Sequence, residues 1–232
     1  MQGLIPVSEI FYSIQGEGIN IGKPAVFLRT YYCNLNCCWC DSKYTWENQS
    51  KAKEGIDYFN LSPEDLIYEI AKYPCKHLVI TGGEPLIHQN SLLKLIRRLK
   101  EMDYYIEVES NGTIKPLKDF LDLIDCFNLS PKLSNSGIEG RRRLKEEVLK
   151  LFTSKDKTYF KFVICERKDL DEVGEIIKLF SIKREKVILM PEGTNTETLN
   201  RRSEWLIEEC KKRGFRFSPR LHILIYGNRR GL

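Results

Sequence analysis

The chain has 232 residues, 42% hydrophobic and 30% charged, enough material for one large core or two small ones and consistent with a soluble globular protein. No apolar run approaches the ~20 residues of a membrane span, and the opening MQGLIPVSEIFYSIQGEG lacks the basic-then-apolar order of a secretory signal, so the expected location is the cytoplasm. The net charge of +5 is interleaved with acids along most of the chain, which reads as solvated helix faces rather than a nucleic-acid footprint; the segment from Lys211 to Arg230, with seven basic residues and no acid, is the exception and suits an anionic ligand.

Along the chain, β-rich apolar runs alternate with amphipathic stretches. The first expected strand is Ala25–Thr30, followed by a group of cysteines and then a polar stretch, Asp41 to Leu61, long enough to be a functional loop or small insertion. Ser62 can cap a helix that has Pro63 at its first position and Asp65 near the positive end of the dipole. Strand His77–Thr81, helix Leu92–Glu101, strand Tyr104–Glu109 and strand Cys126–Leu129 come next, then a flexible candidate at Ser134 to Gly140. Helix Arg141–Phe152, strand Tyr159–Ile164, helix Leu170–Phe180, strand Lys186–Leu189 and helix Thr196–Arg213 complete the series. Repeated strand–helix–strand order implies parallel strands with right-handed crossovers. Six units predict an α/β fold, an incomplete (β/α)6 barrel, and the lack of repeats or linkers predicts one domain over residues 1–232.

Four of the eight cysteines fall between Cys33 and Cys40; Cys75, Cys126, Cys165 and Cys210 are scattered and read as small buried hydrophobes. In YYCNLNCCWCD, directly after the first repeating strand, Cys33, Cys37 and Cys40 are separated by three and then two residues, so three thiolates can converge. Structural zinc would want a fourth Cys or His, yet no second pair exists and His77, His88 and His222 lie far along the chain. A 4Fe-4S cluster with three protein ligands leaves one iron open to a small chelating molecule. Cys38 could close the site, but its placement beside two ligands disfavours that. The next strand ends in Thr81, Gly82, Gly83, Glu84 and Pro85, where two glycines permit a ligand close to backbone and the Glu offers an anion to an amino group. Polar clusters also end the third strand, at Glu109–Gly112, and the fourth, at Ser130–Lys132.

The spacing Cys-x3-Cys-x2-Cys, with an aromatic residue before the last Cys, resembles the radical S-adenosylmethionine superfamily. The resemblance implies a partial barrel of six β/α units, chelation of the open iron by the methionine end of S-adenosyl-L-methionine, and reductive cleavage to a 5′-deoxyadenosyl radical. It places Gly83 and Glu84 at the methionyl amine, Ser110 and the run Ser130, Pro131, Lys132 at the ribose and carboxylate, and Met190, Pro191, Glu192 and Gly193 beside the adenine.

Within the superfamily, EIFYSIQGEG, Arg29 in VFLRT, Asp41-Ser42 after the last thiol and the closing RLHILIYGNRRGL are similar to the 7-carboxy-7-deazaguanine synthase family, from Glu9 to the C-terminus. This implies ring contraction of 6-carboxy-5,6,7,8-tetrahydropterin with loss of ammonia, on the route to queuosine, with no nucleophilic side chain. Arg29 is then the candidate for the substrate carboxylate, since a guanidinium holds it with two parallel hydrogen bonds. Ile14, Gln15 and Gly16 would hold the pterin, Glu17 would accept from its amino groups, Thr81 would add a hydroxyl, and His222 and Leu232 would approach from the tail. The family's Mg2+ ligand two positions after the third cysteine is commonly Thr; Ser42 here keeps the oxygen. A homodimer and a reductant such as flavodoxin or ferredoxin are implied, with neither nucleic acid nor membrane as partner. The rival readings are a glycyl-radical activating enzyme and a non-catalytic iron-sulfur or zinc protein.

Overall fold

The computed structural model describes residues 3–47, 51–55 and 57–231. The elements in chain order are β1 (Ile5–Ile14), β2 (Pro24–Thr30), β3 (Phe59–Leu61), α1 (Pro63–Ala71), β4 (His77–Gly82), α2 (Gln89–Glu101), β5 (Tyr105–Ser110), α3 (Lys118–Leu123) and β6 (Cys126–Leu129). They continue as α4 (Gly140–Arg143), α5 (Glu146–Thr153), β7 (Thr158–Ile164), α6 (Asp169–Phe180), β8 (Val187–Pro191), α7 (Thr196–Arg213), β9 (Arg216–Phe217) and α8 (Leu221–Tyr226). Among the described residues the strands form one open sheet in the order β3-β1-β2-β4-β5-β6-β7-β8-β9. From β2 to β9 every neighbour is parallel, whereas β1 runs antiparallel to both β2 and β3. The six expected repeating strands are β2, β4, β5, β6, β7 and β8, and the sheet does not close, as an incomplete barrel requires. No helix of the described residues is long and apolar enough to cross a membrane.

Alternation along each parallel strand divides the sheet into two faces. Leu28, Ile80, Val108, Phe127 and Leu189 are fully buried beneath the apolar stripes of the helices, together with Leu66, Leu95 and Phe120 from those helices. The opposite face of the same strands carries Arg29, Thr81, Glu107, Glu109, Asn128 and Lys161. A face this polar cannot pack against helices, because each buried polar group needs a partner. The helices therefore cover one face, and the other becomes the inside of the partial barrel.

Helix starts follow their local chemistry. Ser62 and Asp65 form a reciprocal capping box on α1, with Pro63 at its first position. Asn195 caps α7 by accepting from the Thr198 N–H at 2.9 Å, and Gly214, at φ 70°, ends it in the left-handed region. The single helix expected over Arg141–Phe152 is instead two, α4 and α5, broken where Leu144 is extended. The cause is Arg143, which turns inward. Its guanidinium donates to the carbonyls of Ile138 at 3.0 Å and Lys132 at 2.8 Å and pairs with Glu172 at 2.6 Å, and a continuous helix would carry it away from them. Within the stretch Ser134–Gly140, expected to be flexible, Ser134–Ser136 form a 3-10 turn whose Ser136 carbonyl receives the Cys38 N–H at 3.0 Å, and Gly140 begins α4. Lys186 closes a short turn before β8 rather than beginning the strand.

Gly82, the last residue of β4, and Gly83 after it meet a packing constraint besides the ligand approach expected of them. A Cβ on Gly82 would lie 2.2 Å from the Thr30 carbonyl oxygen, and one on Gly83 only 1.9 Å from that of Tyr32. The close approach is of backbone to backbone, between the end of β4 and the start of the cysteine loop. Gly83→Ala should therefore destabilise the fold by about 3 kcal/mol or more, since neither neighbouring atom belongs to a movable side chain. Gly174→Ala, inside α6 with nothing within 4 Å of the added carbon, should instead stabilise by about 0.5–1 kcal/mol. Urea denaturation of the two variants checks both signs.

Candidate active site

The carboxyl ends of the parallel strands and the loops beyond them enclose a cavity with about 1560 Å³ of space not filled by atoms, its mouth included. Its lining draws on the ends of β1, β2, β4, β5, β6, β7 and β8 and on the C-terminal tail.

Cys33, Cys37 and Cys40 line this cavity, and Cys38 does not. Cys38 is exposed, and its thiol donates outward to the Asn135 carbonyl at 3.3 Å. The loop is held from beneath by a small apolar cluster of Leu35, Cys37 and Ile138. Burial pushes the Cys33 thiol up to about 12 and raises that of Cys37, with the nearby Lys132 ammonium opposing both shifts. As protonated thiols they are poor nucleophiles; a metal that displaces their protons makes them ligands. Three thiols lining one cavity, with the fourth turned outward, fit a cluster with one open iron.

Around the cysteines the expected contact residues divide into two groups. Gly83, Ser110, Ser130, Lys132, Met190 and Glu192 line the cavity, while Glu84, Pro131 and Gly193 are not part of the lining. Pro191, the last residue of β8, also lies outside the lining. Glu84 is fully buried, accepting from Leu86 N–H at 3.1 Å, Ser110 Oγ at 2.8 Å and Asn111 N–H at 2.7 Å, and burial raises its pKa despite these donors. It locks the end of β5 to the turn after β4, with about one of its four acceptor sites left. Lys132 donates to Ser130 Oγ at 2.9 Å and lies 5.4 Å from the centre of the Trp39 ring. Ser42 begins the 3-10 turn Lys43–Thr45 without capping it, and its hydroxyl lies 3.7 Å from Cys40 Sγ.

Ile14, Gln15, Gly16, Glu17, Arg29, Thr81 and His222 all line the cavity. Leu232 lies outside the described residues, although Arg229, Arg230 and Gly231 reach the mouth. Arg29 and Thr81 are register partners on β2 and β4 and point to the same face. Arg29 donates through Nε to Glu9 at 3.1 Å; burial works against its charge, and Tyr44, Glu9 and Asp41 together hold its pKa up. The Gln15 amide donates to Glu107 at 2.8 Å and Glu109 at 3.2 Å, and its oxygen receives the Glu17 N–H at 3.1 Å. Its side chain is a strut between β1 and β5. Thr81 Oγ1 donates to Glu109 at 2.8 Å.

The strongest charge cluster went unpredicted. Glu17 accepts from Lys161 Nζ and, at 2.9 Å, from Arg220 Nε; Arg220 also donates to Asp41 and, at 2.7 Å, to the Gly193 carbonyl. Burial would raise the Glu17 pKa, but Lys161, Arg220 and His222 hold it well below 4.5. Glu17 thus holds two protein cations while lining the cavity, and about two of its four acceptor sites remain for a ligand's amino groups. Glu109, on the same face, is raised by burial. Lys161 was readable as the single charge of YFKFVI, and Glu107 and Glu109 as the two alternating charges of YIEVES, all on inward positions; Arg220 carries no such periodic signal. The tail closes onto the site through the Leu221 N–H, which donates to Gly16 O at 3.0 Å, and a Cβ on Gly16 would lie 2.3 Å from His222 Nδ1.

The model of the Radical SAM superfamily matches residues 27–135, the span that holds the cysteines and the GGEP turn. Over 227 residues, 98% of this chain and 97% of its relative, the sequence is 35% identical to the 7-carboxy-7-deazaguanine synthase of Pyrobaculum aerophilum. It is 34% identical to that of Halobacterium salinarum, covering 97% of this chain and 91% of the other. The crystal structure of QueE from Escherichia coli superposes with a TM-score of 0.72 at 27% identity, covering 94% of this chain and 95% of that one.

Replacing Glu17 leaves Lys161 and Arg220 buried without their shared anion, so Glu17→Gln should cost about 3–5 kcal/mol at neutral pH. Because folding lowers the Glu17 pKa, the carboxylate's contribution is present above 4.5 and is lost as pH falls through the folded value. Denaturation at about pH 7 and about pH 3.5 should show the gap between parent and variant narrowing at the acid end.

Proposed function

This chain belongs to the 7-carboxy-7-deazaguanine synthase family of radical S-adenosylmethionine enzymes, and from that membership we propose how its own residues convert 6-carboxy-5,6,7,8-tetrahydropterin to 7-carboxy-7-deazaguanine with loss of ammonia. The observation that carries the proposal is that three inward thiols share one cavity with Arg29, Gln15 and Thr81, while the fourth thiol of the motif faces out. Bound there, a 4Fe-4S cluster and S-adenosyl-L-methionine supply the one-electron reductive chemistry that starts the reaction.

The protein's part is to hold, orient and exclude water. Cys33, Cys37 and Cys40 are the cluster ligands. Gly83, Ser110, Ser130, Lys132, Met190 and Glu192 form the cofactor wall, and Glu84, with Pro131, Pro191 and Gly193, shapes that wall from outside the lining. Arg29 binds the substrate carboxylate with the two terminal nitrogens that its Glu9 contact leaves available. Ile14, Gly16 and Thr81 border the ring, and Gln15 holds their segment against β5. Glu17, through Lys161 and Arg220, fixes the tail that places His222 at the rim. A radical site must keep water out, and this buried set of ion pairs makes the floor rigid. One continuous sheet supports treating residues 1–232 as a single domain. A homodimer and a one-electron donor such as flavodoxin or ferredoxin complete the reading.

The experiment is anaerobic reconstitution with iron and sulfide, then dithionite, Mg2+, S-adenosylmethionine and the carboxytetrahydropterin, with the 7-deazapurine read by mass. Product from the parent and Cys38→Ala, and none from Cys37→Ala, is the expected pattern; deoxyadenosine without deazapurine would overturn the substrate, and neither product from a cluster-loaded protein would overturn the radical chemistry.

For magnesium, Ser42 Oγ is the proposed ligand, with water and substrate oxygens completing an octahedral shell. Ser42→Ala should raise the Mg2+ concentration needed for half-maximal turnover roughly 10-fold or more, and Ser42→Thr should restore it; the scale is that of a lost ligand contact.

A further inference from the structure

The loop after the last cysteine folds back on itself. The Trp46 N–H donates to the Lys43 carbonyl at 2.9 Å, Thr45 Oγ1 donates to the Ser42 carbonyl at 2.8 Å, and the Thr45 carbonyl receives the Tyr32 N–H at 2.9 Å. The first two close Ser42–Trp46 on itself, and the third ties that turn to the residue that precedes Cys33. They also set the Trp46 indole, half-buried and lining the cavity, so that its Nε1–H donates to Cys40 Sγ at 3.3 Å. Trp39, the other indole of this loop, donates to Asn135 Oδ1 at 3.1 Å and touches no sulfur through its nitrogen. The two neighbouring tryptophans thus differ in one respect that matters for a cluster.

We propose that Trp46 is a positioning residue that tunes the cluster's reduction potential, by aiming its indole N–H at the sulfur of the ligand Cys40. The inference rests on the cluster reading above and goes beyond it. Taking up one electron adds negative charge that the cluster shares with its cysteine sulfurs. A fixed N–H dipole on one of those sulfurs stabilises the reduced form more than the oxidised form, so it raises the potential. Because the indole shields Cys40 as well as donating to it, the donor must be removed while the ring is kept.

The test is an EPR-monitored redox titration of the reconstituted protein, the Trp46→Phe variant and the Trp39→Phe variant. Trp46→Phe should shift the reduction equilibrium about three- to tenfold toward the oxidised cluster, ~28–59 mV lower at 59 mV per decade for one electron. Trp39→Phe should leave the midpoint unchanged. If Phe at 46 loosens the loop and lowers iron content, 3-benzothienylalanine at that position keeps the indole shape without the N–H and should give the same downward shift. An unchanged midpoint in a fully loaded 46 variant, or equal shifts at 39 and 46, overturns the proposal. A parent protein that fails to hold four irons and four sulfides would instead overturn the cluster reading on which it rests.

Discussion

The architecture turns on how closely β2 and β4 approach at their carboxyl ends. Parallel pairing continues past both strands, with Gly83 N–H donating to Thr30 O at 3.1 Å and Glu84 N–H to Tyr32 O at 2.8 Å, and this is possible only because neither glycine has a Cβ. Tyr32, at φ 73°, turns the chain out of the sheet immediately before Cys33. A left-handed tyrosine is strained, and the bonds on both sides of it keep it there. The backbone position of the first thiol is therefore fixed before its side chain makes any contact. Glu84 extends the same constraint sideways by holding Ser110 and the Asn111 N–H at the end of β5. Three adjacent strand ends are set by one close contact.

Inside the barrel the constraint is electrostatic. Glu107, with no exposure, accepts from the side-chain amides of Gln15, Asn20 and Asn128 and meets His77 Nε2 at 3.1 Å, so both of its oxygens are hydrogen-bonded. Glu17 is matched by two cations, one from β7 and one from the tail 203 residues away. Arg220 then joins Asp41, next to the last thiol, to Gly193 beyond β8. Buried ion pairs contribute little net stability when complete and are strongly destabilising when half removed. Their effect here is geometric: the distant tail, the N-terminal turn and the cysteine loop must arrive together for any of their charges to be satisfied.

Much of this was legible beforehand because apolar periodicity reports which face a residue buries. The six repeating strands, the capped start of α1 and the full extent of α7 follow from that signal. So does the cysteine site, since three thiols after a strand leave few alternatives. What was not legible depended on contacts distant in sequence. β1 reads as a motif rather than a strand because its burial is mixed and its partner β3 is only three residues long. The break between α4 and α5 depends on where Arg143 finds carbonyls. The GGEP glycines read as room for a ligand; that they also make room for the Thr30 and Tyr32 backbone depends on a contact about 50 residues away. Glu17 was legible as an anion beside the cavity, but not as the shared partner of Lys161 and Arg220, which lie 144 and 203 residues away.

The central claim is that three thiols hold a cluster whose open iron faces the cavity. It is tested most directly by the EPR spectrum of the reduced, reconstituted protein before and after S-adenosylmethionine is added. Chelation at an open iron predicts a change in the signal on addition, present in Cys38→Ala as well. A spectrum indifferent to S-adenosylmethionine, from a protein loaded with four irons, would contradict it.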